Sequence, residues 1–376
     1  MFKKLFFIIP LLIGFMFSES FAIEPHFMKD PAISPDGETV CFSYMSDLWI
    51  VPFEGGEAKR ITVSKGEDSG PVFSPDGKWI AFNSNRDGQT NIYIIPSEGG
   101  EAKCISKEGL QVCDWFNNGK KLLASGYEVG MGTNFFSVPL DRTHPTEITG
   151  IGDFYSKLSP DNKKIIFNRG GMAYREAYHG SINGELWEYD IKDKTYTRLT
   201  NTDYTERYPV YSYTQNRIYF AATKGRIFQL YYAVPTGQNG FENKTQISNF
   251  DIWSVRDIDI ARENDRIVFE RFDEIWKYNP QNNKVKKLNI EIKQDCVENF
   301  EVKEEFTNKA KKFAVSPNGK LVVFSYKYDL FAVPEKGGEV KQITFSQAGI
   351  ENIVITPDNQ TIFFTSYETV SYTHLT

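Results

Sequence analysis

The sequence predicts an all-β chain: a six-bladed β-propeller of four-stranded blades, followed by the incomplete start of a second β-propeller. Two observations predict this fold. A turn motif recurs along the chain, and short β-rich runs follow its copies in a fixed order. Helical periodicity sustained over about 12 residues is absent after residue 22. Repeated small sheets are therefore expected, without helical layers.

The recurring motif is Ser-Pro-Asp-Gly, first found at residues 34–37. Proline fixes the backbone at the second position of a turn, and Gly or Asn accepts the left-handed conformation at its end. The aspartates stand on separate repeats, so we expect them to cap turns and not to bind metal. Further copies, some of them degraded, stand at residues 74–77, 116–119, 159–162, 214–216, 316–319 and 356–359.

A β-rich run accompanies each repeat, and its spacing gives the repeat length. The runs end at residues 42, 82, 124, 167, 220, 269, 324 and 364, which are 40 to 55 residues apart. A second run, such as residues 47–52, commonly leads through a Gly-Gly hairpin to a polar strand suited to an exposed edge. A period of about 40 to 50 residues with four strands is typical of propeller blades.

The repeats divide the chain after its first 22 residues into three parts. Six units fill residues 23–290, a charged segment at 291–311 is interpreted as a linker, and residues 312–376 restart the repeat as the first blades of a second propeller. The last unit lacks its second half, so we expect the second propeller to be truncated. A single eight-bladed propeller is the alternative.

The phase of the repeats predicts how the first propeller closes. Residues 26–34 supply the inner strand of the first blade, and residues 254–260 supply that of the sixth. Because all six units can be written in this phase, no strand needs to be exchanged between the termini. We therefore predict closure through apolar packing between the first and sixth blades.

The first 22 residues differ from the rest of the chain. Two lysines precede an apolar run at residues 5–17, and Ser20-Phe21-Ala22 follows as a small-x-small cleavage signal, a pattern typical of a secretory signal peptide. A transmembrane anchor is the competing interpretation, but the run of about 13 residues is shorter than the roughly 20 that a span needs. We expect an exported protein, periplasmic or extracellular, without membrane association after cleavage.

Cysteine is sparse for an exported protein, and its four positions contain no Cys-x-x-Cys pair. Cys41 lies in an apolar run and is expected to be a buried free thiol. Cys104 and Cys113 flank a probable strand connection, so a disulfide between them is a hypothesis; Cys296 is the fourth cysteine.

The sequence shows no recognisable catalytic or cofactor motif. The four histidines are dispersed, and a nucleophile elbow, a zinc-protease motif, a P-loop and a dinucleotide fingerprint are absent. The net charge is −6 and no stretch concentrates lysine and arginine, which argues against a nucleic-acid partner. We therefore expect no catalytic residue, no metal site and no cofactor in this chain.

One segment, residues 169–184, is longer than the corresponding connections of the first two units and mixes Arg, Tyr and His with glycine. Loops at the surface of a fold commonly carry recognition. Arg175, Tyr178 and His179 are therefore candidate peptide or partner contacts. The alternative is a surface loop that is packed by its own aromatic side chains.

Several motifs resemble those of one protease family. The first unit has Asp-Leu-Trp-Ile-Val-Pro at residues 47–52 and Gly-Gly-Glu-Ala-Lys-Arg-Ile-Thr at 55–62, and the second has Phe-Ser-Pro-Asp-Gly-Lys-Trp-Ile-Ala-Phe at 73–82. The fourth unit has Arg-Glu-Ala-Tyr-His-Gly at 175–180, followed by Glu-Leu-Trp-Glu-Tyr-Asp at 185–190. Together these motifs resemble the amino-terminal half of tricorn proteases and their bacterial homologues.

The resemblance implies a six-bladed propeller, a second propeller, a PDZ domain and a serine-peptidase core of the C-terminal-processing type. In that family the catalytic residues lie in the carboxy-terminal half, which has no matching position here, and His179 stands where the family usually has Gly. The full-length protein is thus expected to be a serine peptidase, with this chain as a non-catalytic portion that gates or channels peptides. The implied partners are peptides, the missing PDZ and protease domains and, in a homo-oligomer, further copies of the chain.

Two other functions stay open, because Ser-Pro-Asp-Gly turns also occur in other propellers. One is a stand-alone exported protein- or peptide-binding propeller of the Tol-Pal type, although no small α/β domain fits between Ala22 and Ile33. The other is the propeller of a dipeptidyl-peptidase-like hydrolase, which would require an α/β-hydrolase domain after it. The gene sequence past codon 376 would discriminate between these functions.

Overall fold

Every regular element of the described residues is a strand, which confirms the prediction of an all-β, propeller-type chain. The computed structural model describes residues 25–128, 132–152, 155–170, 183–223, 225, 227–236, 240–293, 310, 312–326, 329–344 and 350–366. Within these ranges there is no helix of the length and apolarity that crossing a membrane requires. The segment 1–22, Cys296 and the candidate contacts Arg175, Tyr178 and His179 lie outside the described residues.

The chain divides into two compact units. The first comprises Met1–Arg169, Glu185–Thr202 and Glu206–Glu298; the second comprises Gly170–Gly184, Asp203–Thr205 and Asn299–Thr376. In the described part of the first unit the strands form six antiparallel sheets of four strands each.

Each of these six sheets uses strands that follow one another along the chain. The first sheet consists of β1 (Lys29–Ile33), β2 (Thr39–Tyr44), β3 (Asp47–Pro52) and β5 (Lys59–Arg60), and the short strand β4 (Gly56–Glu57) between β3 and β5 is not part of it. The second sheet consists of β6 (Asp68–Phe73), β7 (Trp79–Ser84), β8 (Asn91–Pro96) and β9 (Lys103–Ser106). The third sheet consists of β10 (Gln111–Trp115), β11 (Lys121–Glu128), β12 (Gly132–Pro139) and β13 (Thr146–Gly152). The next three come from β14 (Lys157–Leu158), β15 (Lys164–Arg169), β16 (Glu185–Asp190) and β17 (Thr195–Arg198); β18 (Glu206–Tyr211), β19 (Ile218–Ala222), β20 (Gln229–Thr236) and β21 (Gly240–Gln246); and β22 (Val255–Ile260), β23 (Ile267–Arg271), β24 (Glu274–Asn279) and β25 (Lys284–Lys287).

The remaining strands follow the sixth sheet. They are β26 (Ile290–Glu291), then, in the second unit, a four-stranded sheet of β27 (Phe313–Val315), β28 (Leu321–Tyr326), β29 (Asp329–Pro334) and β30 (Lys341–Gln342), and a pair of β31 (Ile350–Ile355) and β32 (Ile362–Ser366).

The first strands of the six sheets form a closed ring. In the order β1, β6, β10, β14, β18 and β22, each strand contacts the next one, and β22 contacts β1. The other strands of each sheet follow outward in sequence. This arrangement is the blade order of a propeller, and it places the inner strands around a central channel.

The Ser-Pro-Asp-Gly turns are held by one repeated hydrogen-bond pattern. Ser74 Oγ donates to Asp76 Oδ1 at 2.6 Å and accepts from the Trp79 N–H at 2.9 Å. Ser159 makes the same two bonds, to Asp161 at 2.7 Å and from Lys164 at 3.0 Å. The aspartates therefore cap turns, as the sequence predicts.

A second regularity, which the sequence analysis missed, lies at the other end of the inner strands. Five of the six pairings between a first and a second strand shift register, as at a β-bulge. In each of the six sheets the N–H of the first turn residue donates to the carbonyl five residues later, and these first turn residues are Ser34, Ser74, Phe116, Ser159, Ser212 and Ala261. The residue four positions before the first turn residue has positive φ in five sheets. These residues are Asp30 (50°), Gly70 (57°), Tyr155 (55°), Tyr208 (55°) and Asp257 (41°).

Closure of the ring follows the prediction in its main feature. One buried apolar cluster joins the first and sixth sheets and contains Phe42 and Phe53 on one side and Val268 and Leu288 on the other. Lys277 of the sixth sheet also donates to the Phe53 carbonyl at 2.6 Å. No described residue is exchanged between the two four-stranded sheets.

The structure adds a short ladder that the sequence did not predict. After the sixth sheet, β26 pairs in parallel with β4, and the Gly56 N–H donates to the Asn289 carbonyl at 2.9 Å. Gly55 permits this approach, because a Cβ at that position would stand 2.6 Å from the Asn289 oxygen. Closure is therefore both apolar packing and backbone pairing.

The described cysteines are free thiols. Cys41 is fully buried, as predicted, and burial raises the pKa of its thiol. The disulfide hypothesis for Cys104 and Cys113 is wrong for this structure. The two side chains pack in different apolar clusters, Cys104 with the first and second sheets and Cys113 with the third and fourth.

Candidate functional site

The candidate site is a cavity of about 440 Å³ at the centre of the ring. All six inner strands contribute to its walls, together with residues that directly precede or follow them. The volume lies within the range of ordinary ligand pockets, about 300 to 1,000 Å³. It is thus large enough for part of a peptide or for a small molecule.

The bulges decide which side chains face this cavity. The residue four positions before the turn lines the cavity in every one of the six sheets: Asp30, Gly70, Val112, Tyr155, Tyr208 and Asp257. A β-bulge bends its strand and redirects the side chain at that point. Structurally equivalent positions therefore present four kinds of residue, Asp, Gly, Val and Tyr, to one space.

Three carboxylates come together beside the cavity, and two of them, Asp30 and Asp257, line it. One oxygen from each of Asp30, Asp257 and Glu270 lies within 4.8 Å of the others. Burial, together with the charge of Asp30, raises the pKa of Glu270 to about 7. Burial and the charges of Glu270 and Asp30 also raise the pKa of Asp257 well above its usual range. The positive charges near the cluster are therefore too few to keep the pKa values of Asp257 and Glu270 in their usual range.

A second layer of charges lies two residues further along the inner strands. Lys157 Nζ donates to Asp259 Oδ1 at 2.8 Å, while Asp259 Oδ2 accepts from the Ile33 N–H at 2.9 Å. Arg262 lies 3.6 Å from Asp114. Burial alone would lower the pKa of Lys157, but the carboxylates of Asp259 and Asp114 outweigh it and raise the pKa.

The channel narrows where these pairs lie. The space lined by Asp114, Lys157, Asp259 and Arg262 has a volume of only about 30 Å³. The larger cavity shares Lys157 and Asp259 with it. The central channel is thus wide at the bulges and constricted at the ion pairs.

An aromatic pair forms another part of the wall. The rings of Tyr155 and Tyr208 meet edge to face, with centroids 4.4 Å apart. The Arg207 guanidinium lies 5.6 Å and 5.1 Å from the two ring centroids. Burial raises the pKa of both tyrosines, and the charge of Asp257 adds to this rise. Both phenols are therefore neutral near pH 7 and close to an acidic group.

No histidine is among the described residues that line the cavity. The two described histidines lie elsewhere: His26 bonds to Asp273 at 2.8 Å, and His144 bonds to Glu108 at 3.2 Å. Both imidazoles are largely exposed. What the cavity offers a ligand is carboxylate oxygen, hydroxyl groups and aromatic surface.

The sequence did not single out any cavity residue as a ligand contact, and Cys113, which lines the cavity, was considered only for a disulfide. Its candidates, Arg175, Tyr178 and His179, lie outside the described residues, and their role stays a prediction. The sequence does contain a signal for the cavity residues, which is their position relative to the turn. Asp30, Gly70 and Tyr208 each precede a proline and stand four residues before a turn serine, so aligning the repeats on that serine places them in one column.

Comparison with known proteins gives the relationship of the chain. The tricorn protease N-terminal β-propeller domain family matches residues 25–284. Tricorn protease homolog 1 of Streptomyces coelicolor is 27% identical over 261 residues, which cover 67% of this chain and 23% of that protein. The tricorn protease homolog of Saccharolobus solfataricus is 22% identical over 279 residues, covering 71% of this chain and 25% of that protein.

A solved structure agrees with the fold. The crystal structure of the tricorn protease aligns with a TM-score of 0.61 at 18% identity, covering 88% of this chain and 32% of that one. This chain spans about a quarter of the length of the two curated homologues that it matches. Because the family match covers more than half of its residues, the chain belongs to the tricorn protease N-terminal β-propeller family.

Proposed function

We propose that this propeller binds peptides in its central cavity and guides them toward a protease core of a tricorn-like serine peptidase. The observation that carries the proposal is the shape of the channel. It is wide where six inner strands present different side chains and narrow at the Lys157–Asp259 pair. A ligand held in the wide part meets this constriction before it can pass further.

The constriction is suited to gating because charged side chains are part of its lining. Lys157 and Arg262 end in flexible charged groups whose partners lie across the channel, on other sheets. Rotation of these side chains would widen the passage without disturbing a strand ladder. The peptide substrates, the protease core, assembly into oligomers and export from the cytoplasm all belong to this proposal.

A blocked cavity tests the proposal. Gln111 is exposed at the start of β10 and lines the cavity, so Gln111→Trp should fill it without disturbing the core. Gln281→Trp is the matched control, because Gln281 is exposed in the turn between β24 and β25, outside the cavity lining. Binding of an unstructured fluorescein-labelled peptide is measured by anisotropy, beside a thermal melt of each variant.

We expect Gln111→Trp to weaken peptide binding by about tenfold or more, with an unchanged melt, and Gln281→Trp to bind like the parent chain. Absence of peptide binding to the parent chain would contradict the proposal. So would equal binding by the parent and the blocked variant, since the peptide would then occupy another surface.

A further inference from the structure

We infer that the Asp30–Asp257–Glu270 cluster recognises an ammonium group of a peptide bound in the central cavity. This inference rests on the proposed peptide-binding function and names the chemical group that the cavity selects. The shared chemistry is a primary ammonium, and its two sources in a peptide are the free amino terminus and a lysine side chain.

The cluster has unused acceptor capacity. Asp30 Oδ2 already accepts from Ser43 Oγ at 3.0 Å and from the Gly70 N–H at 3.2 Å. Glu270 Oε1 accepts from the Asp30 N–H at 2.6 Å. Among the described residues no hydrogen-bond donor reaches the other oxygen of either group, or the carboxylate of Asp257. Each of the three residues therefore keeps at least one free oxygen.

The number and spacing of the carboxylates match an ammonium group. An ammonium has three N–H donors and no acceptor. The cluster offers three carboxylates, and one oxygen of each lies within 4.8 Å of the others. The existing hydrogen bonds hold the carboxylates of Asp30 and Glu270 in place, and each of the two keeps a second oxygen for a ligand.

A second observation points to a ligand in the same cavity. Ser156 is 1% exposed and lines the cavity, and its hydroxyl oxygen has no partner of normal hydrogen-bond geometry in the part of the chain that the structure describes. The polar group next to it is the Cys113 thiol, whose pKa is raised by burial and lowered in part by Ser156. A buried hydroxyl without a partner is costly and is usually satisfied by a bound group or water. A peptide held by its ammonium would bring carbonyl and amide groups into the space that Ser156 faces.

The surroundings favour an organic cation over a metal ion. Tyr155 and Tyr208 lie close enough to Asp257 for its charge to raise the pKa of both phenols, and aromatic faces attract ammonium groups. The cavity of about 440 Å³ is also far larger than one ion needs.

The test compares three labelled peptides of one sequence on the full chain. The first has a free amino terminus and no lysine, the second is acetylated at the amino terminus and has no lysine, and the third is acetylated and carries one internal lysine. The label is attached at the carboxy terminus in each case. Binding is measured with EDTA present, for the parent chain and for Asp257→Asn.

Asp257→Asn is a suitable variant because asparagine accepts the positive φ of this position as readily as aspartate does. Asp193→Asn is the matched control, since Asp193 is an exposed carboxylate in the turn between β16 and β17. Glu270→Gln gives a second removal of charge from the cluster without shortening the side chain. A thermal melt of each variant shows whether it is folded.

We expect acetylation to weaken binding by about tenfold or more, and Asp257→Asn to remove most of that difference. If lysine restores binding to the acetylated peptide, the side chain is a source of the ammonium; if not, the amino terminus is. Equal binding of all three peptides, unchanged by Asp257→Asn, would overturn the inference and leave the proposed function standing. Failure of every peptide to bind would overturn both.

A titration with metal ions completes the test. Calcium chloride and manganese chloride are titrated into the parent chain by calorimetry in the absence of peptide. Metal binding that is lost in Asp257→Asn, combined with ammonium-independent peptide binding, would show that the cluster is a metal site and would overturn the inference. Ammonium-dependent binding in EDTA supports it.

Discussion

The two ends of the inner strands follow opposite rules. At the turn end, Ser74 and Ser159 make the same pair of hydrogen bonds in different sheets. At the bulge end, the equivalent position carries Asp30, Gly70, Val112, Tyr155, Tyr208 and Asp257 in the six sheets. One end of the strand is repeated and the other is varied.

This difference separates what the repeat specifies from what the site requires. A turn has the same local task in every blade, so one set of side chains recurs in several copies. The bulge end of the inner strand gives each blade an equivalent position that faces the shared cavity, and the side chains there can differ without altering the blade. We therefore expect turn-end substitutions to affect stability and bulge-end substitutions to affect binding, with one exception.

That exception is Lys157, which gives the largest expected effect. It stands two residues after the bulge position of its sheet, and it is held between Asp259 and Asp114. Lys157→Met leaves Asp259 without its ion-pair partner in a space with little solvent, whereas Asp114 keeps Arg262 at 3.6 Å. We expect a loss of about 3 kcal/mol in the free energy of unfolding, measured by urea denaturation.

Lys163→Met is the matched control at the turn end of the same sheet. Lys163 pairs with Asp161 across 3.1 Å, but its side chain is 74% exposed and that of Asp161 is 56% exposed. Water screens such a pair, so no measurable change is expected. Similar small losses for both lysines would show that the Lys157 pair is solvated and does not constrict the channel.

The next effect in size is a dependence of stability on pH. The folded pKa of Glu270 is raised from 4.5 to about 7, so the folded chain holds a proton that the unfolded chain has released between these values. Stability should therefore fall as the pH rises from about 4.5 to about 7, by up to about 3 kcal/mol. Asp257, whose pKa is also raised, acts in the same direction.

Urea denaturation at a series of pH values checks this dependence. Asp30 and Asp257 face Glu270 as like charges, and Arg256 and Lys29 oppose them. Glu270→Gln should flatten the curve, whereas Glu263→Gln, at an exposed turn position, should not change it. A parent curve that is flat over this range, or a curve that stays equally steep after Glu270→Gln, would contradict the burial of the cluster.

The sequence predicted the turn end well because its chemistry is local. Pro, Asp and Gly within four residues determine a turn, and the recurrence of Ser-Pro-Asp-Gly gives the period. The acidic cluster could not be predicted from local sequence in this way. Asp30 and Glu270 are 240 residues apart and meet only because the first and sixth sheets close the ring.

The bulges could not be predicted from the local sequence either. A positive φ at Tyr208 or Asp257 contradicts the preference of most side chains, and it arises from the packing of the inner strands. Only the proline that follows Asp30, Gly70 and Tyr208 marks the position in the sequence. The chemistry of the candidate site thus depends on closure of the whole ring, whereas the fold depends on short motifs.

The smallest expected effect tests the turn end itself. Ser74 is 1% exposed, and Ser74→Ala removes both the donor to Asp76 and the acceptor of the Trp79 N–H. We expect a loss of about 1 to 2 kcal/mol in the free energy of unfolding, with peptide binding unchanged. Ser159→Ala should cost a similar amount, because Ser159 makes the same bonds. Asp257→Asn should do the reverse, weakening the binding of ammonium peptides at no cost in stability at neutral pH. If Ser74→Ala weakened binding as much as Asp257→Asn does, the two ends of the strand would not be independent.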